Sequence, residues 1–303
     1  MPPNDLRPPA SIEAMRRAVW IGQVAGSELA IARRRLAERM AVVDAPDARS
    51  AGAIFEAAVE AAGLPAGTAP TLVLLATDRP GRWKLDDTIC LGRRWPLAPI
   101  VSLLTSLGDG RRRSGPPLAG VEDVVWHDLP GRLEHWLGEL DAGRPGPLGL
   151  PATARREERL LEGGFTRPVR SDGGLAVSLI AAREGDLEPL ADLLRLAGRR
   201  VVGRSCGRPR LDEPAPVLVW DVVSLDGDAL DWLRMLIANR PGLAVVLLES
   251  FPRGDSTEAA LRAGARAVLG RPVSLESLAG TLAWLDAAPM RPAFALGRRS
   301  EAR

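Results

Sequence analysis

Pro216-Val-Leu-Val-Trp220, followed at once by Asp221, is a short, unbroken apolar run that ends on a carboxylate. A run of this length without alternation suits a parallel strand buried on both faces. Asp226-Gly227 turns the chain. Residues 228–238 then set Leu230, Leu233 and Ile237, with Trp232 and Leu236, at helical spacing before Pro241-Gly242 stops the helix. Leu243 to Leu248 reads as the next buried strand. A helix from Ser256 to Ala263 closes on Gly264, which tolerates a left-handed cap. Ala267 to Leu269 forms a last strand, Arg271-Pro272 turns, and a final helix runs from Ser274 through Trp284. Strands and helices joined by short links predict a parallel sheet covered on both sides.

Upstream, the same domain opens with a strand at Leu175 to Ile180, a helix over 186–197 that ends at Gly198, and a strand at Arg200 to Val202. The first half of the chain repeats the order. Strands are predicted at Ala18 to Ile21, Met40 to Val43, Thr71 to Leu75, Pro99 to Leu104 and Asp123 to Trp126. Helices are predicted at 25–40, 47–62 and 131–140.

The residues Val217-Leu-Val-Trp-Asp221, Leu247-Leu-Glu-Ser250 and Ala263-Gly-Ala-Arg-Ala-Val-Leu-Gly-Arg-Pro272 resemble the back half of a response-regulator receiver domain. The resemblance implies an α/β fold of two flavodoxin-like, doubly wound domains, each a five-stranded parallel sheet flanked by helices. It also implies that Asp221 stands at the phosphoacceptor place that ends the third strand. Receivers carry a hydroxyl residue after the fourth strand and a lysine after the fifth, where this chain has Glu249 and Arg271.

Receivers also gather acidic residues at the end of the first strand to hold magnesium, a hard cation that needs oxygen ligands. Here Ala181-Ala182 leads to Arg183, and Glu184 reaches the site only if the register slips. Asp221, Glu249, Arg271, Arg183 and Glu184 therefore read as a degenerate phosphoacceptor site with no metal and no cofactor. Magnesium enters only in the alternative in which a histidine kinase phosphorylates Asp221.

Aligning the halves suggests an internal duplication. Ala69 to Leu75 lies over Ala215 to Asp221, Leu103 to Ser106 over Leu247 to Ser250, and Asp123 to Trp126 over Arg266 to Leu269. In that register Leu75 occupies the phosphoacceptor place of the first half, Thr105 the hydroxyl place and Asp128 the lysine place. Asp78 serves only with a slip.

Domain bounds follow: a loose arm at 1–14, a divergent receiver-like domain at 15–141, a Gly/Pro/Arg-rich linker with a short helix (153–161) at 142–171, a degenerate receiver-like domain at 172–290 and a tail at 291–303. The 303 residues, 46% hydrophobic, suffice for about two domains. Two cysteines are too few for a secreted disulfide framework. No apolar run approaches the roughly 20 residues of a membrane span, and the start lacks the pattern of a signal peptide, so a cytoplasmic location is expected.

Forty basic residues nearly cancel 38 acidic ones, leaving +2 and no strong field for nucleic acid. Arg111 to Arg113 and the arginines of the tail are the only support for a nucleic-acid regulator, the second alternative. Gly203-Arg-Ser-Cys-Gly207 matches a nucleophile elbow, but Pro209 and Pro214 block the helix it needs, and His127 and His135 both precede Ser205. Neither histidine belongs to a metal-ligand cluster.

The expected function is a non-enzymatic, phosphorylation-independent interaction module. The resemblance puts its partner face on the fourth helix, fifth strand and fifth helix of the second domain, with Arg262, Arg266 and Trp284, and the counterpart in the first domain at about 108–140. Partners expected are a protein, such as another receiver or a signalling protein, with a second copy of this chain among the candidates. Nucleic acid and membrane are not expected partners.

Overall fold

The computed structural model describes residues 16–108, 118, 120–144 and 174–287. The arm at 1–14, most of the linker with its helix at 153–161, Arg111 to Arg113 and the tail at 291–303 lie outside the described residues. The chain divides into two compact units, Met1–Thr166 and Arg167–Arg303.

In the first unit, in chain order, the elements are β1 (Arg17–Ile21), α1 (Gly26–Ala37), β2 (Ala41–Ala45), α2 (Ala51–Ala61), β3 (Leu72–Thr77), α3 (Leu85–Arg94), β4 (Ile100–Leu104), a 3-10 turn (Ser106–Gly108), β5 (Val121–Val125) and α4 (Leu129–Asp141). The strands lie in the order β2-β1-β3-β4-β5, all parallel. That is the flavodoxin-like doubly wound arrangement, whose ligand crevice falls where the strand order reverses.

The second unit has β6 (Val177–Ala181), α5 (Glu184–Leu196), β7 (Val201–Cys206), β8 (Val217–Asp221), α6 (Gly227–Asn239), β9 (Ala244–Glu249), α7 (Gly254–Ala263), β10 (Ala267–Gly270) and α8 (Leu275–Ala287). Its order, β10-β9-β8-β6-β7, is the same arrangement read from the other edge.

Each sheet is buried on both faces because alternate residues of its central strands feed two cores. In the first unit, Ala18, Trp20, Leu72 and Leu74 meet Leu29 and Leu36 of α1 and Leu133 and Trp136 of α4. Val19, Ile21, Val73 and Leu75 meet Phe55 of α2 and Leu91 of α3 on the other face. In the second unit, Val217, Val219 and Leu248 face α5 and α8, while Leu218, Trp220 and Leu247 face α6 and α7. Two-sided burial is why β3 and β8 read as apolar without alternation.

Two elements differ from the sequence reading, and one crossover differs between the units. Helix α3 was not anticipated, since its apolar residues are few and Leu85 and Ile89 stay exposed. Its signal is electrostatic: Asp86 and Asp87 lie in the first turn, Arg93 and Arg94 in the last, and the Lys84 N–H donates to Asp87 Oδ2 at 2.9 Å. Strand β7 runs on to Cys206, so Ser205 sits in mid-strand opposite Ile180 and no nucleophile elbow forms. The connection from β7 to β8, residues 207–216, carries no helix, whereas α2 fills the equivalent crossover of the first unit.

Gly264 shows how one residue sets a helix end. It caps α7 in the left-handed region at φ +112°, and a Cβ there would lie 2.9 Å from Ile237 Cγ1. Gly264→Ala is therefore expected to cost about 1–3 kcal/mol through strained backbone and the clash with α6, read as a lowered denaturation midpoint with unchanged slope.

Candidate functional site

The second sheet brings three charged side chains together at the carboxyl ends of its strands. Asp221 ends β8, and its side chain is fully buried. Arg271 follows β10, and its Nη1 donates to both Asp221 oxygens, at 2.8 and 2.9 Å. Its Nη2 donates to Asp186 Oδ2 at 3.1 Å, and Asp186 lies in the first turn of α5. The Ala182 N–H adds a further bond to Asp221 Oδ2 at 3.1 Å. One guanidinium therefore joins β8, α5 and the turn after β10, its two terminal nitrogens each serving a different carboxylate.

Burial pushes the Asp221 carboxyl above its ordinary range, against the pull of the Ala182 N–H and the Arg271 guanidinium. For Arg271, burial acts downward, but Asp186 and Asp221 outweigh it and hold the guanidinium above its ordinary value.

The remaining residues singled out in the sequence stand apart from this pair. Arg183 is exposed, and its carbonyl accepts from the Asp186 N–H at 3.1 Å. Glu184 is exposed and opens α5. Glu249 ends β9, its carbonyl accepts from the Arg271 N–H at 2.8 Å, and its carboxylate meets Ser256 Oγ at 3.5 Å. Asp186 was the residue missed. It sits three positions beyond Arg183 in the first helical turn, where an acid reads first as a dipole partner and only the fold aims it across at Arg271.

On the partner face, the Arg266 guanidinium lies over the Trp284 ring at 5.8 Å, and Trp284 is half-buried against the core. Arg262 is exposed, with its Nε on the Glu258 carbonyl at 3.3 Å. The counterpart stretch of the first unit lies in part outside the described residues; its strand β5 and helix α4 are described.

The first unit's equivalent place differs from the one read by aligning the halves. Asp221 pairs with Leu248, and Leu248 with Leu269. On the corresponding face of the first sheet, Ala76 pairs with Leu103, and Leu103 with Val124. The Arg271 N–H bonds the Glu249 carbonyl just as the Trp126 N–H bonds the Leu104 carbonyl, each at 2.8 Å. The Asp221 place thus falls on Ala76, not Leu75, and the Arg271 place on Trp126, not Asp128. A slip of one or two residues is invisible among runs of Leu and Val, but it moves a side chain to the other face or further along the strand.

There the end of the sheet is closed by a different chain of bonds. Trp126 Nε1 donates to Ser106 Oγ at 3.2 Å, while the Ser106 hydroxyl and N–H both donate to Glu28 of α1, at 2.6 and 2.8 Å.

No protein-family model and no curated protein matches the chain. Among solved structures it is similar to a protein of Burkholderia pseudomallei K96243 named for a relation to pilus assembly, at 28% identity and TM-score 0.36 over 39% of this chain and 96% of that one. It is also similar to a pilus-assembly-named protein of Burkholderia thailandensis E264, at 28% identity and TM-score 0.36 over 38% of this chain and 99% of that one. A third is a CheY-like protein of Pseudomonas aeruginosa PAO1, at 24% identity and TM-score 0.30 over 36% of this chain and 98% of that one. Other solved structures similar to this chain are receiver domains.

Removing one partner of the buried pair leaves the other charge uncompensated. Arg271→Met is expected to cost about 3–5 kcal/mol near neutral pH, and adding Asp221→Asn to restore most of that, by chemical denaturation. Without the guanidinium, the Asp221 carboxyl rises further. A raised carboxyl contributes stability that is complete below its unfolded value near ~4 and is lost as pH rises through the folded one, so the single variant's deficit should shrink on acidification.

Proposed function

We propose that this chain is a non-enzymatic, cytoplasmic signalling module built from two receiver-like units, acting by docking a protein partner and independent of phosphorylation. The observation that carries the reading is the Arg271 guanidinium lying against both oxygens of Asp221. A phosphoacceptor must offer one of those oxygens to phosphorus while a divalent cation draws on oxygen ligands beside it. Here the guanidinium takes the ground that cation would need, and its charge would repel it. The residues present do not fit magnesium.

In the first unit the matching place is Ala76, which has no side-chain oxygen to offer. Both units on this reading keep the receiver-like shape and signal through surface alone. The partner face is α7, β10 and α8 of the second unit, with Arg262 and Arg266 at its edge and Trp284 supporting Arg266.

Incubating the full chain with acetyl phosphate and magnesium, or with beryllofluoride and magnesium, is expected to leave both its intact mass and its melting temperature unchanged. A mass gain or stabilisation that Asp221→Ala abolishes would show a working phosphoacceptor and overturn the reading. For the docking face, charge reversal of Arg262 and Arg266 to glutamate is expected to lose the protein partner that the unaltered chain retains in a pull-down, with far-UV circular dichroism unchanged. Full retention of that partner counts against this face.

A further inference from the structure

The helix-less crossover of the second unit carries the inference. Residues 207–216 read Gly-Arg-Pro-Arg-Leu-Asp-Glu-Pro-Ala-Pro and run from the end of edge strand β7 across to β8. Along this stretch the backbone carbonyls that are bonded between its ends take their donors from side chains. Trp220 Nε1 donates to the Gly207 carbonyl at 3.2 Å, Trp232 Nε1 to Pro209 at 3.0 Å and Asn239 Nδ2 to Leu211 at 2.9 Å, and Arg240 Nη1 donates to Glu213.

The acceptors are residues 207, 209, 211 and 213, every second one, and three of the donors come from α6 and its C-cap. The Arg208 guanidinium lies over the Trp232 ring at 5.6 Å, and the buried Glu213 carboxylate accepts from the Arg210 N–H at 2.9 Å. At one end, Gly207 takes φ +88° and donates its N–H to the Ala181 carbonyl at 2.9 Å, a glycine hinge.

A row of side-chain donors that reads alternate carbonyls, floored by two indoles, is the chemistry that recognises an extended, proline-bearing segment. Such a segment lacks N–H groups at its prolines and presents carbonyls and ring faces instead. We propose that residues 207–216 are a detachable cover seated in this groove, and that the groove binds an extended proline-bearing peptide when the cover lifts. Backbone bonds tie the cover to the sheet only at its ends, Gly207 N–H to the Ala181 carbonyl and Ala244 N–H to the Pro216 carbonyl; between them it is held by separate side-chain contacts, whereas β6 and β8 are held by continuous ladders, so it opens without unfolding the sheet.

Amide hydrogen exchange on the full, unaltered chain tests the cover. The Arg210 and Leu211 amides are expected to exchange at least about 100-fold faster than those of Leu218 and Val219 in β8, with no dependence on low denaturant. Equal rates with a shared denaturant dependence overturn the proposal.

The groove is tested in a full-length variant whose residues 208–213 are replaced by Gly and Ser at the same length. The probe is a synthetic peptide of the sequence of residues 207–216. It is expected to change indole fluorescence saturably, with Kd of roughly 0.1–1 mM, and Trp232→Phe or Asn239→Ala in the same variant should weaken it by about tenfold. A folded variant that does not bind, or that binds a scrambled peptide equally, overturns the groove. If the variant loses its circular dichroism, the exchange result on the unaltered chain decides.

Discussion

A carboxylate taken fully out of water must be matched by positive charge and hydrogen bonds, or the fold cannot keep it ionised. Asp221 is such a group, and Arg271 supplies both requirements. The guanidinium also holds Asp186 and so ties the end of β8, the start of α5 and the turn before α8 into one block. Those pieces come from positions 186, 221 and 271, and their union sets the shape of the end of the second sheet. The switch-point crevice of this fold lies at that end, and beside Asp221 it is a cleft of about 280 Å3 walled by Trp220, Arg208 and the turn into α6.

The first unit solves the same closure with other chemistry. Ala76 and Trp126 stand where Asp221 and Arg271 stand, so those two places form no ion pair, and the link to the first helix is made by the half-buried Glu28 on Ser106. In both units an acid near the start of the first helix reaches across the sheet's end to a residue after the fourth or fifth strand. The two ends are cross-braced alike in topology and differently in charge.

Much of the architecture was legible in the chain itself. The apolar runs of β8, β9 and β4, the glycine after α7 and the alternation of strand with helix led directly to two parallel sheets. What escaped was of two kinds. Helix α3 escaped because its face is only weakly apolar and its charges mark it instead. The placement of the first unit's site escaped because Thr71 to Leu75 and Leu103 to Thr105 align with their counterparts about equally well at neighbouring registers, and hydrophobicity does not distinguish one leucine from the next. The Asp221–Arg271 pairing was legible as a loss of the acidic lining, but Asp186 was not, since nothing in a first-turn acid announces a partner 85 residues away.

By itself, then, the sequence determined most of the strands and helices and that Asp221 ends a buried strand, because local periodicity and turn chemistry act over a few residues. Only the tertiary structure decided which face each side chain takes, which acid meets Arg271, and that residues 207–216 lie across α6 under four side-chain donors. Those outcomes depend on strand register and on contacts between residues far apart in the chain, where a shift of one position reverses a face and a few tenths of a nanometre separates an ion pair from two stray charges.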